Sequence, residues 1–117
     1  MHVLSELANR CTPITDYQSN GAAAVRIADG DGEAHAYLVR FEAGGAIGRH
    51  EAGFGQLFIV LDGAGWTSGD DGVRADVQPG DVVVFQRGEQ HAKGSDTGMT
   101  ALMVQVRDLT ISEHGEL

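Results

Sequence analysis

The sequence contains little cysteine, proline or positive charge, and each shortage limits what the protein can be. Cys11 is the only cysteine among 117 residues, so the chain cannot form an internal disulfide. Two prolines stand against 17 glycines. Eight Lys and Arg residues oppose 17 Asp and Glu residues, which gives a formal net charge of −9. Such a surface repels nucleic acids and anionic membranes, so neither is expected as a partner.

Long apolar runs are also absent. No stretch of about 18 apolar residues occurs, so no transmembrane helix is expected. The first residues, MHVLSELANR, lack the basic start and apolar middle of a signal peptide, and a cytoplasmic location is therefore the expectation. The length suits one domain. We predict a single domain over residues 1–117, with an N-terminal extension at 1–20 and a polar tail at 108–117.

Glycine pairs between short apolar runs are typical of an all-β chain. Asp-Gly pairs at 29–32 predict a hairpin turn, because such pairs readily supply positive φ angles. The regular spacing of turn signals predicts a β-sandwich or barrel. The predicted strands cover residues 22–28, 33–42, 57–61, 66–68, 73–77, 82–85 and 100–107.

Two of these strands are apolar on both faces. They are LFIVL at 57–61 and VVVF at 82–85. Both faces should therefore be covered. One side would be the interior of the barrel, and the other is a candidate subunit interface, so we expect a homodimer.

The segment from Gly44 to Gly63 is the candidate site. It places His50 in a glycine-rich loop, and Gln56 follows six residues later at the start of an apolar strand. Phe58 and Val60 share a strand face with Gln56, since side chains alternate along a strand. They are predicted to form the apolar wall of a small-molecule cavity.

The spacing of two motifs resembles that of the cupin superfamily. The first motif is matched by Gly44, His50, Ala52, Gln56 and Gly63. The second is matched, after the turn at 79–81, by Gln86, Gly88, His91 and Ser95. The chain is similar to a small single-domain cupin, and the resemblance implies a double-stranded β-helix, or jelly-roll, barrel.

The same resemblance implies a metal site. Metal-binding cupins carry His-x-His and a downstream glutamate in the first motif and a third histidine in the second. His50 and His91 match the first and last of these ligands. Ala52 stands in place of the second histidine, and Gln56 in place of the glutamate. The implied metal ligands are His50, Gln56 and His91, and the implied cofactor is a divalent ion such as zinc, nickel, iron or manganese.

Further substrate-facing candidates lie on two other strands. His35 and Tyr37 share one face of the strand at 33–42, and Met103 and Gln105 belong to the last strand. A packed or surface histidine is the alternative for His35, and core packing explains Met103 equally well. The predicted substrate-binding residues are Phe58, Val60, Met103, Gln105, His35 and Tyr37.

Three functions remain open from the sequence. The first is a metal-dependent enzyme similar to the small dioxygenases, isomerases or decarboxylases of the superfamily. The second is a metal-free cupin module that binds a small molecule beside a vestigial metal site. The third is a barrel retained for assembly with a protein partner. Whether the chain is an enzyme is left open, because this fold hosts many unrelated reactions.

Overall fold

A computed structural model describes residues 1–112, and this part of the chain consists almost entirely of antiparallel strands. Two short 3₁₀ turns, at Leu7–Arg10 and Asp16–Gln18, are the only helical segments within it. The strands in chain order are β1 (His2–Leu4), β2 (Thr12–Pro13), β3 (Ala23–Ala24), β4 (Ala28–Phe41), β5 (Ala46–Glu51), β6 (Gly55–Gly63), β7 (Gly65–Ser68), β8 (Arg74–Val77), β9 (Val82–Phe85), β10 (Gln90–Gly94) and β11 (Met99–Ile111).

The strands form two main sheets. The larger sheet has the order β1-β9-β6-β11-β4, the smaller one has the order β5-β10-β7-β8, and β2 pairs with β3 in a separate ribbon. Neighbours in these sheets run antiparallel and are mostly not consecutive in the chain, as in a jelly roll. The predicted all-β jelly-roll fold is confirmed.

The core lies between the inner faces of the two sheets. Aromatic and aliphatic side chains from both sheets fill it, and their burial is the main stabilising contribution. The buried members are Phe41, Phe58, Val60, Val77, Val83, Phe85, Met99 and Ala101.

The outer face of the larger sheet carries a second apolar cluster. Val82 and Val84 are buried there, and Leu4, Leu7 and Ile27 of the N-terminal part of the chain pack against them. Covering both faces of β9 therefore needs no second subunit. The homodimer expected from the sequence stays a prediction.

The hairpin predicted at residues 29–32 is wrong. β4 continues without reversal from Ala28 to Phe41, and its first residues pair with the end of β11, for example Asp31 with Asp108. Gly32, with φ +90°, lies beside a shift of register between Val106 and Asp108. The glycine is thus used in an irregularity of a long strand and not in a turn.

Two stretches predicted as irregular chain are strands. β5 carries His50, and β10 carries His91, and the two strands pair with one another. Backbone pairing offsets the low strand preference of Gly48 in β5. The histidines are consequently held on a sheet and not on loops.

The last strand is longer than predicted, because β11 runs to Ile111 and overlaps the start of the predicted polar tail. Residues 113–117 of that tail lie outside the described residues. No helix in residues 1–112 has the length and apolar character needed to cross a bilayer.

Gly63 offers a test of the close contact between the end of β6 and the loop before β11. Its φ is +77°, and a Cβ added there would clash with the carbonyl oxygen of Gly98. Gly44 has a similar φ of +80°, but nothing lies within 4 Å of an added Cβ. We expect Gly63→Ala to lower the free energy of unfolding by about 1–3 kcal/mol more than Gly44→Ala does, measured by urea unfolding. Equal losses would show that only the backbone conformation matters.

Candidate functional site

Two histidines face each other from neighbouring strands of the smaller sheet. His50 on β5 is paired in register with His91 on β10. Their Nε2 atoms are 3.0 Å apart, and their ring centroids are 4.5 Å apart. His91 is buried, whereas His50 is exposed. The pair thus connects the interior of the barrel with its surface.

A buried lysine lies behind this pair. Lys93, the only lysine in the sequence, is 1% exposed and follows His91 by two residues on β10. Its Nζ donates a hydrogen bond of 2.8 Å to Oε1 of Gln56 and lies 3.4 Å from Nδ1 of His91. The ammonium also lies 4.7 Å from the ring centroid of Phe85 and 5.2 Å from that of Phe58, which is within cation–π range.

Lys93 was not among the predicted site residues. Its signal was the separation of two residues from His91, which favours the same face of a strand. A second signal was that Lys93 is the only lysine of the chain and lies between two small uncharged residues, Ala92 and Gly94. Both signals are weak without knowledge that residues 90–94 form a strand.

The hydrogen bonds fix one consistent set of histidine tautomers. Nδ1 of His50 donates to the carbonyl oxygen of Gly48 at 2.8 Å, so its Nε2 is the acceptor in the neutral ring. His91 then donates from Nε2 to His50 and accepts from Lys93 at Nδ1. This assignment follows from the network of donors and acceptors. A continuous proton path runs from the buried ammonium to the exposed imidazole.

The electrostatics agree with a neutral His91. Burial lowers the pKa of His91 from 6.5 to about 3, and electrostatic repulsion from Lys93 and His50 adds to the effect. Burial also lowers the pKa of Lys93 from 10.5 to about 8. At neutral pH the site therefore holds a neutral imidazole beside a lysine that is still mostly charged but close to its titration point.

The larger sheet presents the predicted substrate-facing residues in two rows. In the first row β4, β11 and β6 place His35, Gln105 and Gln56 side by side. The second row, directly adjoining, contains Tyr37, Met103 and Phe58. Directly paired residues of antiparallel strands share a face, so these six side chains lie on one face of the sheet. The shared face agrees with the pattern of alternation in the sequence.

These residues differ in how accessible they are. His35 is 44% exposed, stacks on Phe54 and lies 2.6 Å from the carboxylate of Glu33. Tyr37 is 47% exposed. Val60, in contrast, is 1% exposed and packs in the core. His35 and Tyr37 thus form part of the rim, Val60 belongs to the interior, and the substrate contacts of all three stay predictions.

The donor atoms do not fit a divalent metal. The two Nε2 atoms converge as ligands of one ion would, but no group of three His, Cys, Asp or Glu side chains gathers anywhere in residues 1–112. Gln56 is neutral and already accepts from Lys93, and Ala52 offers no donor at the remaining position. An ammonium beside three candidate ligands, none of which is an anion, repels a dication. The metal implied by the resemblance stays a prediction.

Glu89 does not supply the missing carboxylate. Glu89 lies two residues before His91 and is buried. One oxygen accepts the backbone N–H of Gln86 at 3.0 Å, and the other binds the amino group of Met1. Its negative charge is therefore already paired outside the histidine cluster.

A separate cleft lies beside the paired ends of β7 and β8. It has a volume of about 590 Å³, and Trp66, Asp76 and Asp96 contribute to its walls. None of the residues of the histidine–lysine cluster, which consists of His50, Gln56, His91 and Lys93, lines this cleft. The chemistry-bearing side chains and this cleft are distinct features of the molecule.

The comparisons with known proteins agree with the two motifs and the sheet order. A family model described as "Cupin domain" matches residues 37–106, which include every member of the histidine–lysine cluster. The chain belongs to the cupin family. A curated relative, the (R)-mandelonitrile lyase of Granulicella tundricola, is 41% identical over 71 residues. The alignment covers 59% of this chain and 54% of the relative, so the chain spans about half the length of that protein.

Solved cupin structures show the same fold. A cupin superfamily protein from Desulfitobacterium hafniense has a TM-score of 0.60 at 19% identity, over 70% of this chain and 77% of that chain. A cupin-like protein from Thermotoga maritima has a TM-score of 0.60 at 21% identity, over 68% of this chain and 64% of that one. At these identities the likeness concerns the barrel alone.

Proposed function

We propose that this cupin barrel is a lyase that cleaves a small hydroxyl-bearing substrate by general acid–base catalysis. The observation that carries the proposal is the hydrogen-bonded chain from Lys93 through His91 to His50. It contains an exposed imidazole, on which a substrate hydroxyl would replace His91 as the donor to Nε2, and a buried ammonium, and these are the two groups that such a cleavage requires. The name of the curated relative supports the same class of reaction.

The proposed chemistry can be written for a cyanohydrin. Nε2 of His50 takes the proton of the substrate hydroxyl as the bond between the carbinol carbon and the nitrile carbon breaks. The electron pair leaves on cyanide, and the oxygen becomes the carbonyl of an aldehyde. Lys93 stabilises the departing anion and protonates it to hydrogen cyanide. After the products leave, the exposed His50 gives its proton to solvent and Lys93 takes a proton up from solvent, which restores both groups.

The remaining residues of the cluster orient these groups. Gln56 fixes the ammonium by its 2.8 Å hydrogen bond, and the rings of Phe58 and Phe85 keep water away from it. A less hydrated ammonium acts more strongly on a developing negative charge, because the local dielectric constant is lower. His35 and Tyr37, which are exposed at the rim, would contact the substrate.

The test is an assay of benzaldehyde and hydrogen cyanide release from mandelonitrile by the purified protein after treatment with a chelator. We expect turnover by the wild type, and a loss of kcat/KM of at least about 10²-fold in His50→Ala and in Lys93→Met. His2→Gln, a change of an exposed histidine on β1, is the matched control and should retain activity. Absence of turnover in the wild type, or equal activity in all variants, would overturn the proposal.

A binding module without turnover is the second candidate. The burial of Lys93 and His91 favours it, because both groups are shielded from solvent and His50 is the exposed member of the cluster. In that case mandelonitrile or an analogue would protect the barrel against thermal unfolding without being consumed. Measuring the melting temperature in the same samples separates the two candidates.

A further inference from the structure

Lys93 is a buried cation without a counter-ion. None of the ion pairs formed within residues 1–112 involves it, although this part of the chain contains many carboxylates. Its polar neighbours, Gln56 and His91, are an amide and an imidazole, and neither supplies a negative charge. Buried charges in proteins are ordinarily paired or bound to a ligand, since the uncompensated desolvation of an ion is expensive. The arrangement therefore lacks a negative partner.

The position of the lysine is as informative as its charge. The resemblance to metal-binding cupins places the divalent ion among His50, Gln56 and His91, and the ammonium binds one of these three and approaches another. Ala52 is buried and contributes no donor where a further histidine would stand. A positive charge is thus retained in the middle of the barrel, but the polypeptide supplies it.

We infer that the Lys93 ammonium replaces the divalent cation of this barrel and makes it a metal-independent binding site for a small monoanion. The anion, a carboxylate or cyanide, would take the free hydrogen-bonding capacity of the ammonium on the side of His50 and His91. An ammonium has three donors, of which Gln56 and His91 use two. The inference deepens the proposed lyase by naming the group that holds its anionic product.

The first experiment measures anion binding directly. Because Lys93 is the only lysine, protein grown with lysine labelled at the ε-carbon gives one ε-carbon signal from this site. Formate is titrated against that signal, and chloride at equal ionic strength is the control. We expect a saturable shift with formate in the wild type and formate binding by calorimetry that is lost in Lys93→Met. A response to formate that matches chloride would overturn the inference.

The second experiment asks whether the ammonium excludes a metal. Zinc affinity is compared among four proteins: the wild type, Lys93→Met, Ala52→His and the double variant. Removal of the ammonium should tighten zinc binding at least about tenfold in both backgrounds, because it removes the repulsion between the charges. Should Ala52→His fail to fold, the comparison of the wild type with Lys93→Met decides alone. Tight zinc binding by the wild type that Lys93→Met leaves unchanged or weakens would contradict the inference.

Neither experiment requires turnover. Failure of the mandelonitrile assay would leave the anion site standing, and failure of formate to bind would remove the anion site while the acid–base chain of the two histidines remained. The two proposals are therefore distinguishable in the same set of variants.

Discussion

Replacement of His91 by glutamine is expected to make the protein markedly more resistant to unfolding by acid. In the folded state burial lowers the pKa of His91 from 6.5 to about 3. The unfolded chain regains the ordinary value. Between pH 6.5 and pH 3 the unfolded state therefore binds a proton that the folded state does not, and stability falls as the pH falls through this window.

The expected size is large for one side chain. A shift of this extent corresponds to a loss on the order of 3–5 kcal/mol over the whole window. The charged and titratable groups that face His91 are Lys93 on its own strand and His50 on β5, and both oppose its protonation. Gln56 on β6 is neutral, so no partner within the site favours the charged imidazole.

Urea unfolding at a series of pH values measures the effect. The wild type should lose several kcal/mol more than His91→Gln between pH 6.5 and pH 3, whereas His2→Gln, changed at an exposed position, should follow the wild type. The glutamine keeps an N–H donor for His50, so the comparison isolates the titration of the buried ring. Parallel curves for the wild type and His91→Gln would show that folding does not lower the pKa of His91.

The fold could be predicted because its signals are local and repeated. Short apolar runs bounded by glycine turns located β6, β9 and the middle of β11 closely. The turn predicted at 29–32 failed because an Asp-Gly pair fits both a hairpin and a bulge. Only the pairing of Asp31 with Asp108, which are 77 residues apart, decides between the two. A contact between residues so far apart in the sequence cannot be predicted from a local sequence pattern.

The sequence predicted that His50 and His91 lie together, but it did not predict that Lys93 lies beside them. Motif spacing brought His50 and His91 together correctly, and Gln56 lies on the same inner face as Phe58. The charge of Lys93, however, makes it look like a solvated residue in any sequence reading, because lysine is almost never fully buried. Its position becomes visible only when β10 is known to pack across from β6 and β9.

The missing ligands and the buried lysine are parts of one change. A barrel that lost the second imidazole and the carboxylate of its metal site would lose its central positive charge. Lys93 restores a positive charge while Gln56, being neutral, can accept its hydrogen bond without neutralising it. The chain therefore retains the electrostatic property that a metal cupin would have, with a different donor.

Replacement of Lys93 by methionine is expected to stabilise the fold while it abolishes the proposed activity. Burial lowers the pKa of Lys93 from 10.5 to about 8, so the folded state carries an unfavourable charge at all pH values below about 8. This penalty is on the order of 3 kcal/mol. Methionine has a similar length, is apolar and fits the surroundings of Phe58 and Phe85, so the variant should be more stable at pH 7 by about 1–3 kcal/mol.

The dependence on pH distinguishes this explanation from simple repacking. As the pH rises from 8 to 10.5 the unfolded lysine keeps a proton that the folded one has released, so the wild type gains stability and the advantage of Lys93→Met shrinks. Lys93→Arg is the matched control. Arginine stays charged throughout this window, so the penalty of its buried charge does not fall as the pH rises. An advantage of Lys93→Met that stays constant from pH 7 to pH 10.5 would mean that shape alone, and not a buried charge kept for function, sets the stability of this site.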